Sequence, residues 1–329
     1  MIAVKIAGLG AYLPARIVTN SELEAQLAIP PGWIERVTGV RERRYATDET
    51  AAGMAAVAAR RALDAAGLRL ADIDAIVGAS SAPQQTIPCT AALIQRELGA
   101  PDGGSACFDI NATCLSFLLA MQSVSALIAA GVYRTVLICS TEIARHSRNP
   151  AEPESAVLFG DAAAAAVVTR AALGEASAIW RAQFATFSSS ADLTQVLGGG
   201  TLHHPNDPAT SAEMNMFHMD GPAVFKKATR LIAPFLDDFF AQIEWQRSQV
   251  ATVVPHQSSR HGVEVLSARL GFSRTQVFTN LAERGNCIAA SIPLALAEAV
   301  ASGQITRGQQ VVLVGTGAGL TLGALALTY

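Results

Sequence analysis

The sequence predicts an α/β fold built from two similar halves, and three observations carry that prediction. Short apolar runs of strand type alternate with long helix-forming stretches along the whole chain, the order of elements repeats between the first and second halves, and three short matches recur at one spacing. Ile76-Val77 matches Val253-Val254, Asn111 to Cys114 matches Arg284 to Cys287, and Val136-Leu137-Ile138 matches Val312-Leu313-Val314. Each pair is separated by roughly 175 residues, which implies a duplicated lobe and a pseudo-twofold axis that brings equivalent loops together.

In chain order, Met1 to Gly8 reads as a strand leading to a glycine turn, and Leu13 to Asn20 as a turn with a short extended piece. Ser21 to Glu24 opens a capped helix, and Trp33 to Val40 reads as an irregular surface segment. An Ala-rich helix runs from about Thr50 to Ala66 and stops at Gly67. The strand Asp74 to Gly78, the helix Thr90 to Leu98, the strand Ala106 to Ile110, the helix Leu115 to Ala130 and the strands Thr135 to Cys139 and Ala162 to Thr169 complete the first half. The second half offers helix Ala223 to Phe240, strand Val250 to Val254, helix Gly262 to Leu270, a short strand Gln276 to Thr279, helix Ile288 to Ala301 and strand Gln310 to Val314.

Composition narrows the function classes. The 329 residues are 50% hydrophobic and 16% charged with a formal net charge of -3, enough to bury one or two large cores. Without an extended basic run, nucleic acid is not the expected main partner. The N-terminus lacks the pattern of a signal peptide and the apolar runs are too short to cross a bilayer, so a soluble protein with no membrane partner is expected. Five cysteines, an odd number without metal-type pair spacing, fit a reducing cytoplasm. His203, His204 and His218 lie in a Pro-, Asn- and Asp-rich stretch with no HExxH or CxxC partner, which reads as a surface loop and predicts no metal.

Cys114 stands where a strand-type run meets a helix, so its thiol faces the positive end of the helix dipole. That placement favours the thiolate and makes Cys114 a candidate nucleophile, although a lone cysteine is more often a small buried side chain. His256 follows a strand at a proline turn, and Asn286 precedes an apolar helix, where it would serve equally as a helix cap. All three lie at carboxyl ends of strands, the edge at which open α/β sheets bind ligands.

Five separated motifs, in order, resemble the β-ketoacyl-acyl-carrier-protein synthase III family of the thiolase superfamily. They are Gly32 to Arg43, Phe108 to Cys114, Val254-Pro255-His256-Gln257, Gly285 to Ala290, and the glycine-rich Gly315 to Gly319. The resemblance covers essentially the whole chain. It implies two duplicated βαβαβαββ lobes, residues 1–172 and 173–329, in a five-layer α-β-α-β-α sandwich, with Cys114 in the first and His256 and Asn286 in the second.

It further implies that Cys114 takes an acyl group from a thioester and condenses it with malonyl carrier protein after decarboxylation. A thiolate exchanges thioesters readily, and His256 and Asn286 would hold the malonyl thioester oxygen as enolate charge develops on it. The backbone N–H groups of Cys114 and Ala318 would form the oxyanion hole. No cofactor is implied: coenzyme A or phosphopantetheine thioesters are substrates, the acyl carrier protein is the partner, and the enzyme is a homodimer. Trp33, Ile87, Ala144 and Phe225 fall at substrate-binding positions. Cys287 is expected to pack beside Asn286.

Several residues depart from the family pattern. The arginines that commonly grip the coenzyme A nucleotide fall on Val37 and Pro153, with Arg36, Arg41 and Arg148 as substitutes, which favours an acyl-carrier-protein donor. Ile87 replaces a common phenylalanine near the partner subunit's acyl pocket, and Ala144 is small, so a starter larger than acetyl is expected. Lys226, Lys227 and Arg230 share one helix face, extended by Arg260, Arg269 and Arg274, and would dock an acidic carrier protein; an ordinary solvated face is the equal alternative. Two other activities remain open: acyl transfer to a hydroxyl, amine or other acceptor without condensation, and a noncatalytic subunit that sets chain length.

Overall fold

The computed structural model describes the backbone of residues 1–329 and every side chain except those of 266–269. In the first half the order is β1 (Val4–Tyr12), β2 (Arg16–Thr19), α1 (Asn20–Gln26), α2 (Trp33–Thr38), β3 (Glu42–Tyr45), α3 (Ala51–Ala66), β4 (Ala75–Gly78), α4 (Thr90–Leu98), β5 (Ala106–Asp109), α5 (Ser116–Ala129), β6 (Thr135–Glu142), α6 (Pro153–Ala156) and β7 (Ala162–Arg170). The second half follows with β8 (Ala178–Thr186), β9 (Thr194–Gln195), β10 (His218–Met219), α7 (Gly221–Ala241), β11 (Thr252–Pro255), α8 (Arg260–Arg269), α9 (Leu281–Arg284), α10 (Ser291–Ala301), β12 (Gln310–Gly317) and β13 (Thr321–Thr328).

The two main sheets have the orders β1-β7-β6-β4-β5 and β8-β13-β12-β11. Strand β4 runs parallel to β5 and β6, β11 runs parallel to β12, and the remaining pairs are antiparallel. Val277 bridges Val253 at the place a fifth strand of the second sheet would take. The duplication therefore survives in strand order.

Burial explains the stacking. Outward residues of the first sheet, such as Ile76 and Leu137, pack under α3 and α4. Its inner residues Val77 and Ile138 meet α5 and α10, which also pack on Val254, Leu313 and Leu325 of the second sheet. The far face of that sheet, Val312 and Ala324 among others, lies against α7 and α8. Helices α5 and α10 are thus enclosed on both sides, which is why they are apolar nearly all round. The result is the α-β-α-β-α order expected from the resemblance.

Four local expectations change. Gly8 is inside β1, not at a turn, because a Cβ there would lie 2.2 Å from the Ala62 carbonyl of α3; the glycine lets helix and strand approach. Trp33–Thr38 is a helix that buries Ile34, not an irregular segment. The strand expected over Gln276–Thr279 shrinks to a 3-10 turn and the Val277 bridge. Strands β8 and β13, which close the second sheet, were absent from the sequence reading: Ala324 and Ala326 pack on one face and Leu325 and Leu327 on the other, so no polar alternation marks the strand.

Candidate active site

The turn that carries Cys114, the candidate nucleophile, follows β5. Asn111 Oδ1 accepts from the Thr113 N–H at 2.8 Å and its Nδ2 donates to the Ser81 carbonyl at 2.7 Å. Thr113 is forced to φ +51°, and Ser116 Oγ, accepting from the Ala112 N–H at 3.0 Å and donating to the Thr113 carbonyl at 2.6 Å, holds the turn from inside α5. Cys114 is thereby fixed two residues before the helix.

The N–H groups of Cys114 and Ala318 lie beside the Cys114 sulfur and act to favour its thiolate. They do not make it a resting thiolate. Burial, with the nearby carboxyl of Glu142 adding to it, pushes the thiol up to about 12 despite those two donors. This opposes the expectation that the helix start favours the thiolate: the thiol, though only half-buried by exposure, loses enough water to outweigh the dipole of a helix that begins only at Ser116.

His256 leaves the end of β11 and is buried, with its N–H on the Val314 carbonyl at 2.8 Å. Burial pushes its imidazole down to about 4, so the ring is neutral at ordinary pH, and Nδ1 has no partner among the described residues. The glycine run of β12 is what brings the two sites together. A Cβ at Gly315 would lie 2.6 Å from His256 Cβ and 3.2 Å from Leu115 Cδ2, and one at Gly317 would lie 2.7 Å from Thr113 Oγ1. Any side chain there would separate His256 from the Cys114 turn.

Asn286 sits in a turn of the same build. Its Oδ1 accepts from the Ile288 N–H at 2.8 Å and from Ser291 Oγ at 3.4 Å, and Ile288 has φ +50°. Its backbone is clasped by the first half: the Asn286 N–H donates to Leu158 and its carbonyl accepts from Gly160. With Oδ1 occupied, the amide Nδ2 is the group left to present. The structural counterpart of Asn111 is therefore Asn286, and Cys114 corresponds to Ala289, not to Cys287 as the sequence match has it. Cys287 is buried with its thiol on the Arg284 carbonyl at 3.4 Å, packed among Ala162, Ala290 and Leu294.

A cavity of about 410 Å³ runs from the surface to His256, Gly315 and Thr316, with Val37, Phe225 and Leu158 in its wall. Cys114 and Asn286 are not part of that wall. Trp33 faces a second recess at the mouth, shared with Glu152, Pro153 and Glu154. Neither recess is lined by a described Lys or Arg, and Glu154 lines both. Glu152 accepts from the Met219 N–H at 3.1 Å and pairs with His218 Nδ1 at 2.6 Å.

Other predicted residues are scattered. Ile87 is 81% exposed on the loop before α4, outside the cavity wall. Ala144 is buried, its N–H on Asp161 Oδ1 at 2.8 Å. Arg41 pairs with Glu283, and the Arg148 guanidinium lies 4.8 Å from the ring of Tyr45, which belongs to the small cluster that Trp33 packs against. On α7, Lys226 and Arg230 are exposed, whereas Lys227 turns to Ser189 Oγ at 3.1 Å. Arg260 Nη2 donates to the Arg36 carbonyl at 2.7 Å, Arg274 lies in a 3-10 turn, and the side chain of Arg269 lies outside the described residues. Among the described residues no group of three or more His, Cys, Asp or Glu is gathered as a metal site.

Glu142 is the residue that sequence reasoning missed. It closes β6, three residues past the point where the apolar run seemed to stop, and is 2% exposed. A carboxylate ending a buried strand is the signal that could have found it.

Comparison with known proteins agrees with this geometry. Residues 108–187 match the model of the family described as 3-oxoacyl-[acyl-carrier-protein] synthase III, and residues 240–329 match its C-terminal model. A β-ketoacyl-[acyl-carrier-protein] synthase III from Neisseria meningitidis is 35% identical over 330 residues, covering 99% of each chain, and one from Chelativorans is 36% identical over the full length of both. Among solved structures, the 3-oxoacyl-(acyl carrier protein) synthase III of Pseudomonas aeruginosa superimposes with a TM-score of 0.89 at 34% identity, covering 99% of this chain and 98% of that one. The priming β-ketosynthase of the R1128 polyketide pathway gives 0.90 at 30% identity, covering 98% and 95%.

Proposed function

Because the chain belongs to the β-ketoacyl-acyl-carrier-protein synthase III family, whose fold is thiolase-like, we propose that it moves an acyl starter from a thioester onto Cys114 and condenses it with malonyl carrier protein. In the first step the Cys114 sulfur attacks the donor carbonyl, the oxyanion takes the N–H groups of Cys114 and Ala318, and the donor thiol leaves with the proton that Cys114 gives up. In the second, Asn286 Nδ2 and neutral His256 donate to the malonyl thioester oxygen. Carbon dioxide departs, and the enolate carbon attacks the acyl carbonyl, forming the β-ketoacyl thioester and freeing Cys114.

The observation that carries this reading is the nearness of two N–H groups to the Cys114 sulfur, in a turn whose twin leaves an asparagine amide free. An oxyanion formed on an acyl group bound to that sulfur would lie within their reach. A neutral buried imidazole suits a hydrogen-bond donor better than a cation would, since a charged ring would cost desolvation.

The finer parts of the reading are these. Residues 1–172 carry the nucleophile and 173–329 the two donors. The donor is carrier-bound, since Glu152 and Glu154 at the mouth disfavour the phosphates of coenzyme A, with Trp33 and Phe225 flanking the pantetheine arm. The starter exceeds acetyl, shaped by Ile87 and Ala144. Lys226, Lys227, Arg230, Arg260 and Arg269 form the carrier-docking face. The enzyme works as a cytoplasmic homodimer: all five cysteines are unpaired, and β5 is an edge strand beside the exposed Ile87.

Intact-mass measurement with acyl-coenzyme A and acyl-carrier-protein donors tests the reading. A Cys114 adduct that malonyl carrier protein discharges with release of carbon dioxide supports condensation. Discharge to another acceptor without carbon dioxide would replace it by simple transfer, and the absence of any adduct by a binding subunit.

A further inference from the structure

The register of the two sheets makes Glu142 an unexpected residue. Gly78 pairs with Cys139 in the first half and Pro255 with Val314 in the second, so Glu142 occupies the place that Gly317 fills in the other lobe. Gly317 abuts the Asn111 turn, whose nucleophile belongs to the opposite half, and Glu142 reaches the Asn286 turn in the same crosswise manner. Where one lobe leaves room, the other inserts a carboxyl.

That carboxyl is fully engaged. Oε1 accepts from the Ser81 N–H at 2.5 Å and Oε2 from Ser81 Oγ at 2.8 Å, and the Ala289 N–H lies beside the carboxyl and favours its charged form. Ser81 in turn receives Asn111 Nδ2 on its carbonyl, so a chain of hydrogen bonds runs from the nucleophile turn through Ser81 to Glu142, whose carboxyl faces the N–H of the residue three places after Asn286. We propose that Glu142 is a positioning residue of the condensation site: its carboxyl ties the Cys114 turn to the Asn286 turn, and its charge opposes that of the Cys114 thiolate. The inference rests on the reading of Cys114 as the acyl-bearing nucleophile.

The charged and titratable groups facing Glu142 are Cys114 from the nucleophile turn, Cys287 from the Asn286 turn and Asp161 at the start of β7. All are acidic, and burial already favours the protonated carboxyl, which is pushed up to about 7. A neutral Glu142 makes the thiolate easier to form, and an ionised one makes it harder. As pH rises through neutrality the gain in thiolate is therefore blunted.

The test is the pH dependence of Cys114 alkylation by iodoacetamide, followed by intact mass, in wild type, Glu142→Gln and Ser81→Ala. Glu142→Gln should shift the alkylation profile to lower pH by about one unit, because the opposing charge is gone. Ser81→Ala, a small change that removes one donor and so favours the protonated carboxyl, should shift it the same way by less. Either shift supports the proposal; profiles of both variants overlaying wild type overturn it. If wild-type Cys114 is alkylated but accepts no acyl group from any donor, the reading of the nucleophile fails while the alkylation profiles still judge Glu142.

Discussion

The Asn111 and Asn286 turns share one design and, on the proposed reading, divide one reaction. Each starts with an asparagine whose Oδ1 accepts from the N–H two residues on, each forces that residue to a positive φ, and each is braced by a serine five residues on. The first spends its asparagine amide on Ser81 and presents a thiol three residues later. The second leaves its amide free of the turn and puts Ala289 where the thiol would be. Duplication thus supplied two platforms of one build, and on the proposed reading the difference in what each displays separates acyl capture from enolate stabilisation.

Removing each platform's displayed group should give the largest effects, and different ones. Cys114→Ala should abolish the acyl adduct and lower condensation by about 10⁴-fold or more, read by product formation. Asn286→Ala should leave the adduct intact but slow condensation by about 10²- to 10³-fold, since it removes one donor to developing negative charge.

Filling the gap between the turns comes next. Gly317→Ala places a Cβ 2.7 Å from Thr113 Oγ1 and 3.2 Å from the Ala112 carbonyl, and should cost about 2 kcal/mol in denaturant unfolding while slowing acylation.

A pH effect of similar size separates the second lobe's histidine. His256 is held near 4 against an ordinary 6.5, so the unfolded chain takes up its proton first as pH falls. The stability contributed by the neutral ring is whole above 6.5 and is lost toward pH 4, by about 3 kcal/mol at most. Thermal melts should show wild type losing more stability than His256→Gln over that window. The smallest effect is expected at Cys287, whose change to Ala should cost about 1 kcal/mol and leave Cys114 acylation unchanged. A loss of acylation there would restore Cys287 as the counterpart of Cys114.

Much of this was legible in the sequence because helices α3, α4 and α5 carry strong local stops and starts, Gly67, Gly99 and the Cys114 junction. The proposed trio Cys114, His256 and Asn286 was reachable through position at strand ends and through the family resemblance. What could not be read was set by packing against parts of the chain distant in sequence. Gly8 looked like a turn because its contact is with α3, and β13 was hidden because both its faces are buried. The resting state of Cys114 is set first by burial, with the carboxyl of Glu142 at the end of β6 adding to it. The Cys114–Cys287 match was a coincidence of letters; hydrogen bonding to the asparagines, invisible in the chain, sets the true register.

The division of labour is tested most directly by a two-stage intact-mass measurement on Asn286→Ala. The variant should load an acyl group on Cys114 as fully as wild type and then keep it when malonyl carrier protein is added. Discharge at the wild-type rate, or failure to load at all, would contradict the account.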